Sequence, residues 1–275
     1  MKRFLAIILA SLMLLSLAAC GGKQDENVVK FGTIELSGMM DMMTDAHKQH
    51  IKETDGFSTD MKGEFVNYNN LSAALMDLEG GKINYVIIEK SVANYIAAHN
   101  EKISVIEDSR NADFSMMTLD SKRDVYDILN NAIKEMKADG TLENLIENEL
   151  KAYINSDPVA KDLPHFDGAI TIKVGVTGDM PPMDFVAANG KAAGFNIALL
   201  TEIANRAQVN FEIVQIESGS RPMALSSGKV DAVFWTRSST CTICNAVGVE
   251  KAEGTIVTES YFTDALARIA LKSDK

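Results

Sequence analysis

Apolar and polar positions run along this chain in blocks of two different periods. Short apolar runs of the kind that fill buried strands stand at 28–34, 64–68, 85–88, 170–176, 211–216 and 232–235. Helical spacing falls between them, around 39–51 and around 197–207. In mid-chain, Val125, Ile128, Leu129, Ala132, Ile133 and Met136 recur at i, i+3 and i+4 and make one apolar helix face. Asp139-Gly140 breaks that helix, and Leu142, Leu145 and Ile146 start a second, shorter one. Strands alternating with helices predict an α/β fold built on parallel βαβ units.

The pattern also repeats. Leu78-Glu79-Gly80-Gly81-Lys82-Ile83-Asn84-Tyr85-Val86 reads L-x-x-G-K-[IV]-[ND]-x-V, and so does the segment from Leu225 to Val233, 147 residues later. In each copy a strand-like run and a short apolar helix come before it, and an apolar strand follows. The Gly before the Lys suits a helix end, because glycine takes the left-handed conformation that stops a helix. Two such units predict two lobes, 28–152 (which includes the mid-chain helices) and 170–275. Between them, Asn155-Ser156-Asp157-Pro158 through Leu163-Pro164 reads as a linker within 153–169.

The first nineteen residues are of another kind. Lys2 and Arg3 precede a sixteen-residue apolar run, 4–19, which is short for a membrane span. The run ends in Leu17-Ala18-Ala19-Cys20, with a polar tether, 20–27, after it. This resembles a bacterial lipoprotein signal peptide cleaved before Cys20, which implies a lipid anchor on that thiol and an extracytoplasmic location. The other reading is an ordinary secretory signal with an incidental cysteine. Loss of Lys2 and Arg3 would take the formal charge from −11 to −13.

Composition then removes several function classes. With 46% hydrophobic residues the chain has the means to form a core, which excludes a disordered protein. A single long apolar run excludes a polytopic membrane protein. An acidic balance without a basic stripe argues against a nucleic-acid partner. Three cysteines are too few for a disulfide-built fold.

Taken as a set, the residues of both halves resemble the type II extracytoplasmic solute-binding proteins of ABC importers, in the amino-acid-binding family. Ile172-Lys173-Val174-Gly175-Val176, Met180-Pro181-Pro182-Met183-Asp184-Phe185, Gly194-Phe195-Asn196, the copy at 225–231 and Thr258-Glu259-Ser260-Tyr261-Phe262 resemble that family's first lobe. Residues 70–89 with Ala93-Asn94-Tyr95 resemble its second lobe, and 130–145 its C-terminal helix. The resemblance implies a two-lobed, periplasmic-binding-protein-like α/β fold with a ligand cleft between the lobes. It also implies capture of a small polar, amino-acid-like ligand, delivery to an ABC permease, no catalytic residue and no cofactor. The order of the pieces is reversed relative to that family. This predicts a circular permutant, expected to be a monomer; the competing reading is two partial modules that each need a partner chain. A ligand-sensing accessory receptor on the same fold is the alternative function. A dehydratase-type enzyme would need an acid–base pair, for which Glu89 with Asp179 is the one candidate.

Ligands of open parallel sheets sit beyond the C-terminal ends of strands. That places Thr177, Asp179, Met183, Phe185, Trp235, Thr236, Arg237 and Ser238 at the cleft from one lobe, and Ser37, Gly38, Met39 and Glu89 from the other. Ser37-Gly38-Met39 would open a helix whose free N–H groups suit a carboxylate. Glu89 stands where the family has an acidic partner for a ligand amine. Trp235 either covers a cationic or apolar ligand group or packs in the core. The family's carboxylate-clamping arginine falls near Ile243, so Arg237, or else Arg221, would have to substitute. Cys241 and Cys244 are either a local disulfide or free thiols. His47 and His50 lie i, i+3 on the expected helix beside Asp45 and read as a solvated face before a metal site, and Met39, Met40, Met42 and Met43 surround that helix instead of converging on a point.

Overall fold

The computed structural model describes residues 28–34, 62–241, 246–249 and 252–272, with the backbone alone at 62, 108–110, 235–241 and 246–249. The apolar runs form strands close to where the pattern puts them: β1 (Val28–Thr33), β2 (Lys62–Asn67), β3 (Tyr85–Glu89), β5 (Thr171–Val176), β9 (Asn210–Gln215) and β10 (Ala232–Cys241). The expected helix around 39–51 lies outside the described residues. Within each half the three main strands are parallel. β2 and β3 flank β1, and β9 and β10 flank β5.

Two strands that the local pattern does not announce join the halves. β4 (Ile103–Leu119) is seventeen residues long, and β13 (Phe262–Leu271) is ten. β13 runs antiparallel to β3 on one side and to β4 on the other. The far end of β4 lies antiparallel to β10, with the short β12 (Thr255–Val257) on its other side. Each half therefore has the same strand order: β2-β1-β3-β13-β4 in the first and β9-β5-β10-β4-β12 in the second. β4 belongs to both. The register slips between Ala265 and Ala267 on β13 and between Val233 and Thr236 on β10, as extra residues are taken up where the chain passes from one half to the other.

The repeated motif is structural. After helix α1 (Leu71–Glu79), Gly81 sits at φ +67°; after the last helix, α6 (Arg221–Ser226), Gly228 sits at φ +70°. Ile83 and Val230 then plunge into the core. The next residue clamps the opening strand of its half. Asn84 gives its N–H to the Lys30 carbonyl and takes the Lys30 N–H on Oδ1, at 2.9 and 2.8 Å. Asp231 does the same to Lys173, at 2.7 and 2.8 Å, and pairs with Lys122 as well. The [ND] position thus continues the strand pairing by one rung with its own side chain.

After β3, helix α2 (Lys90–His99) leads into β4. Between β4 and β5 run helix α3 (Arg123–Ala138) and the short α4 (Thr141–Leu145). α3 buries Val125, Leu129, Ala132, Ile133 and Met136, the face expected from their spacing. Gly140, at φ +79°, allows the turn into α4. Both helices lie against α5 (Phe195–Ala207) of the second half. There Arg206 reaches Asp139 at 2.8 Å, Glu202 at 2.8 Å and the Thr141 hydroxyl at 2.9 Å. The α/β class and two-lobed layout expected from the sequence are those of the protein.

Candidate functional site

The halves meet at the ends of β2 and β9. At the first, Asn67-Tyr68-Asn69-Asn70 leads into α1, where the Asn70 side chain caps the helix by accepting the Ala73 N–H at 2.9 Å. At the second, Glu217-Ser218-Gly219-Ser220 leads into α6, and the buried Arg221 donates to the Ser218 hydroxyl at 3.2 Å. The two turns touch: the Ser218 N–H donates to the Asn69 carbonyl at 3.1 Å. A Cβ on Gly219 would stand 2.9 Å from Asn69 Oδ1, so the close approach uses the bare glycine backbone.

The loop between β5 and the two-residue strand β6 (Asp179–Met180) supplies the second contact. Asp184, at the start of β7 (Asp184–Val186), is buried and accepts from the Thr177 N–H at 3.1 Å, the Thr177 hydroxyl at 3.0 Å and the Gly178 N–H. Gln215 donates to the Thr177 carbonyl at 3.1 Å. Gly178 lies at φ +76°, and a side chain there would strike Val186. The loop so held carries Asp179 to the first half, where its Oδ2 accepts the Leu71 N–H at 2.9 Å. Burial raises the Asp179 carboxyl above its ordinary value of 3.8, and the nearby Asp184 charge adds to this, while the Leu71 bond pulls it down.

A cavity of about 680 Å³ opens beside these contacts, lined from the first half by Asn70 and Ser72. The second half contributes Thr177, Asp179, Gln215, Ser218, Ser220 and Lys229 among the polar residues, and Ile216, Met223 and Ala224 among the apolar. Hydroxyl, amide and charged groups thus share this space with apolar side chains, in a volume within the roughly 300–1,000 Å³ typical of small-molecule sites.

Of the residues nominated from sequence, Thr177 and Asp179 line this cavity. Met183 is fully buried in the core, and Phe185 is half-buried on β7. Glu89 is fully buried at the end of β3, where Leu266 of β13 is its register partner. Its charge bears on Asp264, which accepts the Ser91 N–H at 2.9 Å. Trp235, Thr236, Arg237 and Cys241 lie on β10, described by backbone alone; Thr236 pairs with Ser115 and Arg237 with Phe114 of β4. Ser37, Gly38, Met39, Cys20, Cys244, His47 and His50 lie outside the described residues. Sequence reasoning passed over Asn70, Ser72, Gln215, Ser218, Ser220 and Lys229. Five of them stand at or just after the ends of β2 and β9, the second strand of each repeat, and Lys229 follows Gly228 in the repeated motif itself. Among the described residues no group of three or more His, Cys, Asp or Glu is placed to hold a metal, and no helix is long and apolar enough to cross a membrane.

Comparison with known proteins gives a match over one part of the chain. Residues 172–249 match the model of the bacterial extracellular solute-binding proteins, family 3. No curated protein matches. Among solved structures, the ligand-binding component of an ABC-type import system from Staphylococcus aureus, with zinc bound, is 11% identical. It covers 88% of this chain and 66% of its own, with a TM-score of 0.44. The Corynebacterium glutamicum OxyR C206 mutant is 10% identical over 98% of this chain and 66% of its own, at 0.41. An ancestral arginine-binding protein bound to arginine is 12% identical over 91% and 87%, also at 0.41. The chain spans about two thirds of the length of the first two. The second half of this chain thus carries a stretch similar to extracellular solute-binding proteins, on a two-lobed α/β fold.

Proposed function

We propose that the protein is an extracytoplasmic solute-binding protein, held at a membrane by a lipid on Cys20. It captures a small polar organic ligand, amino-acid-like in size and polarity, and hands it to an ABC importer. The observation that carries this reading is the cavity between the halves, lined by polar side chains of both. The solute-binding match at 172–249 supports it, since that stretch includes the cavity residues from Thr177 to Lys229. Binding here breaks no bond: closure of two lobes on a solute needs shape, hydrogen bonds and charge, and no nucleophile. The strand-end residues Ser37, Gly38, Met39, Glu89, Phe185, Trp235, Thr236 and Arg237 belong to the same cleft in this reading, while Met183, fully buried, serves the core. Asn70, Ser72, Gln215, Ser218, Ser220 and Lys229 extend it.

The reversed order of the halves fits a permutant of the family's plan, with 153–169 bridging what are elsewhere the two chain ends. Its support is the shared strand order of the halves and the seating of α3 and α4 on the second half through Arg206.

The test is thermal unfolding of the mature chain, carrying Cys20→Ser, against amino acids, short peptides and polyamines. A ligand of the native state raises Tm, by the equivalent of about 2.7 kcal/mol at a hundredfold excess over Kd. At least one class is expected to raise Tm, and the rise is expected to shrink with Gln215→Ala and Lys229→Ala. Absence of a shift with every class, or turnover of a compound that does bind, would overturn the reading.

A further inference from the structure

We propose that Asp179 is a latch between the two halves, a carboxylate of one half that caps the first turn of α1 in the other. The first N–H groups of α1 have no partner within the helix, and its first turn carries no acidic residue. Asn70 serves the Ala73 N–H, and the Leu71 N–H goes to Asp179, 108 residues away in sequence. A negative group at a helix N-terminus is stabilising there. Chains commonly supply it from the helix itself, which would leave the halves independent. Here the carboxylate comes from across the cleft, so the capping of α1 and the closure of the cleft are one event.

The latch is built as an arm. Asp184 grips Thr177 and Gly178 from below, Gln215 holds the Thr177 carbonyl, and Gly178 takes a turn that a side chain would block. The arm therefore presents Asp179 from the second half as a preset group. A second catch joins the same two halves, the Ser218 N–H on the Asn69 carbonyl at 3.1 Å. Opening at this corner breaks both bonds and returns the α1 N–H groups and the Asp179 carboxylate to water. The latch holds whether or not the cleft takes a solute, so it stands apart from the function proposed above.

The test is the distance between the halves in the full mature chain. Met76 on α1 and Ser226 on α6 are exposed, one on each half, and Ser226 lies outside the cavity lining. Spin labels are placed on Met76→Cys and Ser226→Cys, with Cys20, Cys241 and Cys244 changed to Ser, and distances are read by pulsed electron resonance without added ligand. Asp179→Ala is expected to raise the long-distance population about five- to tenfold, the loss of one charge-assisted bond. Asp179→Asn keeps an oxygen acceptor without the charge and is expected to raise it by less. If the Ala variant does not fold, the Asn variant carries the test. A distribution that coincides with the parent's in the folded variant overturns the latch.

Discussion

Asp264 shows what burial does to one carboxyl in this molecule. Burial raises it above its ordinary value of 3.8, the Ser91 N–H pulls it down, and the Glu89 charge nearby raises it further. The folded chain thus keeps a proton at pH values where the unfolded chain has lost it. Stability falls as pH rises through that interval and stays lost above it. Asp264→Asn removes the titration while leaving an acceptor for the Ser91 N–H. The urea midpoint of the Asn variant, relative to the parent, is expected to climb as pH goes from about 4 to about 7. A difference that does not change with pH would show that Asp264 is not the group responsible. At this scale the sequence is partly legible. Glu89 was readable as an acid at a strand end, but not as a buried neighbour of Asp264, because β13 brings the two together from opposite ends of the chain. Asn84 and Asp231 were readable as a shared motif. That they clamp Lys30 and Lys173 was not, since those partners lie more than fifty residues upstream.

Elements were legible where one period persists. The glycine of each repeat was expected to take the left-handed conformation, and Gly81 and Gly228 do so with open space around them. An alanine at either site meets no neighbour and incurs the backbone cost alone, so Gly81→Ala and Gly228→Ala are each expected to lower stability by about 1–2 kcal/mol. Gly178→Ala is expected to cost more. Its added Cβ would come within 2.8 Å of Val186, and relief of that clash moves the arm that carries Asp179. Denaturant unfolding of the three variants checks the ranking, and equal losses at all three would refute it. β4 escaped the sequence reading for a physical reason. A strand that passes from one half to the other changes the face it buries on the way, and its middle, Glu107-Asp108-Ser109-Arg110-Asn111, reads as a polar turn. The alternation that marks an ordinary half-buried strand is absent there. The cavity turns were hidden in another way. Asn69-Asn70 and Ser218-Gly219-Ser220 have ordinary turn composition, and only the approach of one half to the other gives them a role.

At the scale of the molecule, the register of the first half bears on the proposed permutation. Ile269 of β13 and Gly32 of β1 flank the same residue, Val86 of β3, from its two sides. β13 is antiparallel to β3 and β1 is parallel to it, so the end of β13 and the start of β1 reach the same edge of the sheet. Two strand spacings separate them, about 10 Å. The four residues from Lys272 to Lys275 reach about 13 Å when extended, enough to span that gap. A chain that runs from β13 straight into β1 therefore keeps every strand where it is. The complementary cut belongs at Asp167-Gly168, where Asp167 is fully exposed and Gly168 turns at φ +75°. The turn is tied across the cut by the Ala169 N–H on the Phe166 carbonyl and by the Asn210 side chain, which bonds both residues; an exposed turn of this sort is the kind of place at which rearranged chains still fold. We expect a recut protein, running from Ala169 to Lys275 and on from Asn27 to Gly168, to unfold in one cooperative step and to match the parent in ligand-induced Tm shifts. Solution scattering should give both proteins the radius of a monomer with two lobes. A recut chain that fails to fold, or a parent that scatters as an obligate dimer, would instead favour two partial modules that need a partner chain. The expected result follows from geometry alone: the bonds between the halves, from Asp179 to Leu71 and from Ser218 to Asn69, and the seating of α3 on α5 by Arg206, do not depend on which half comes first in the chain.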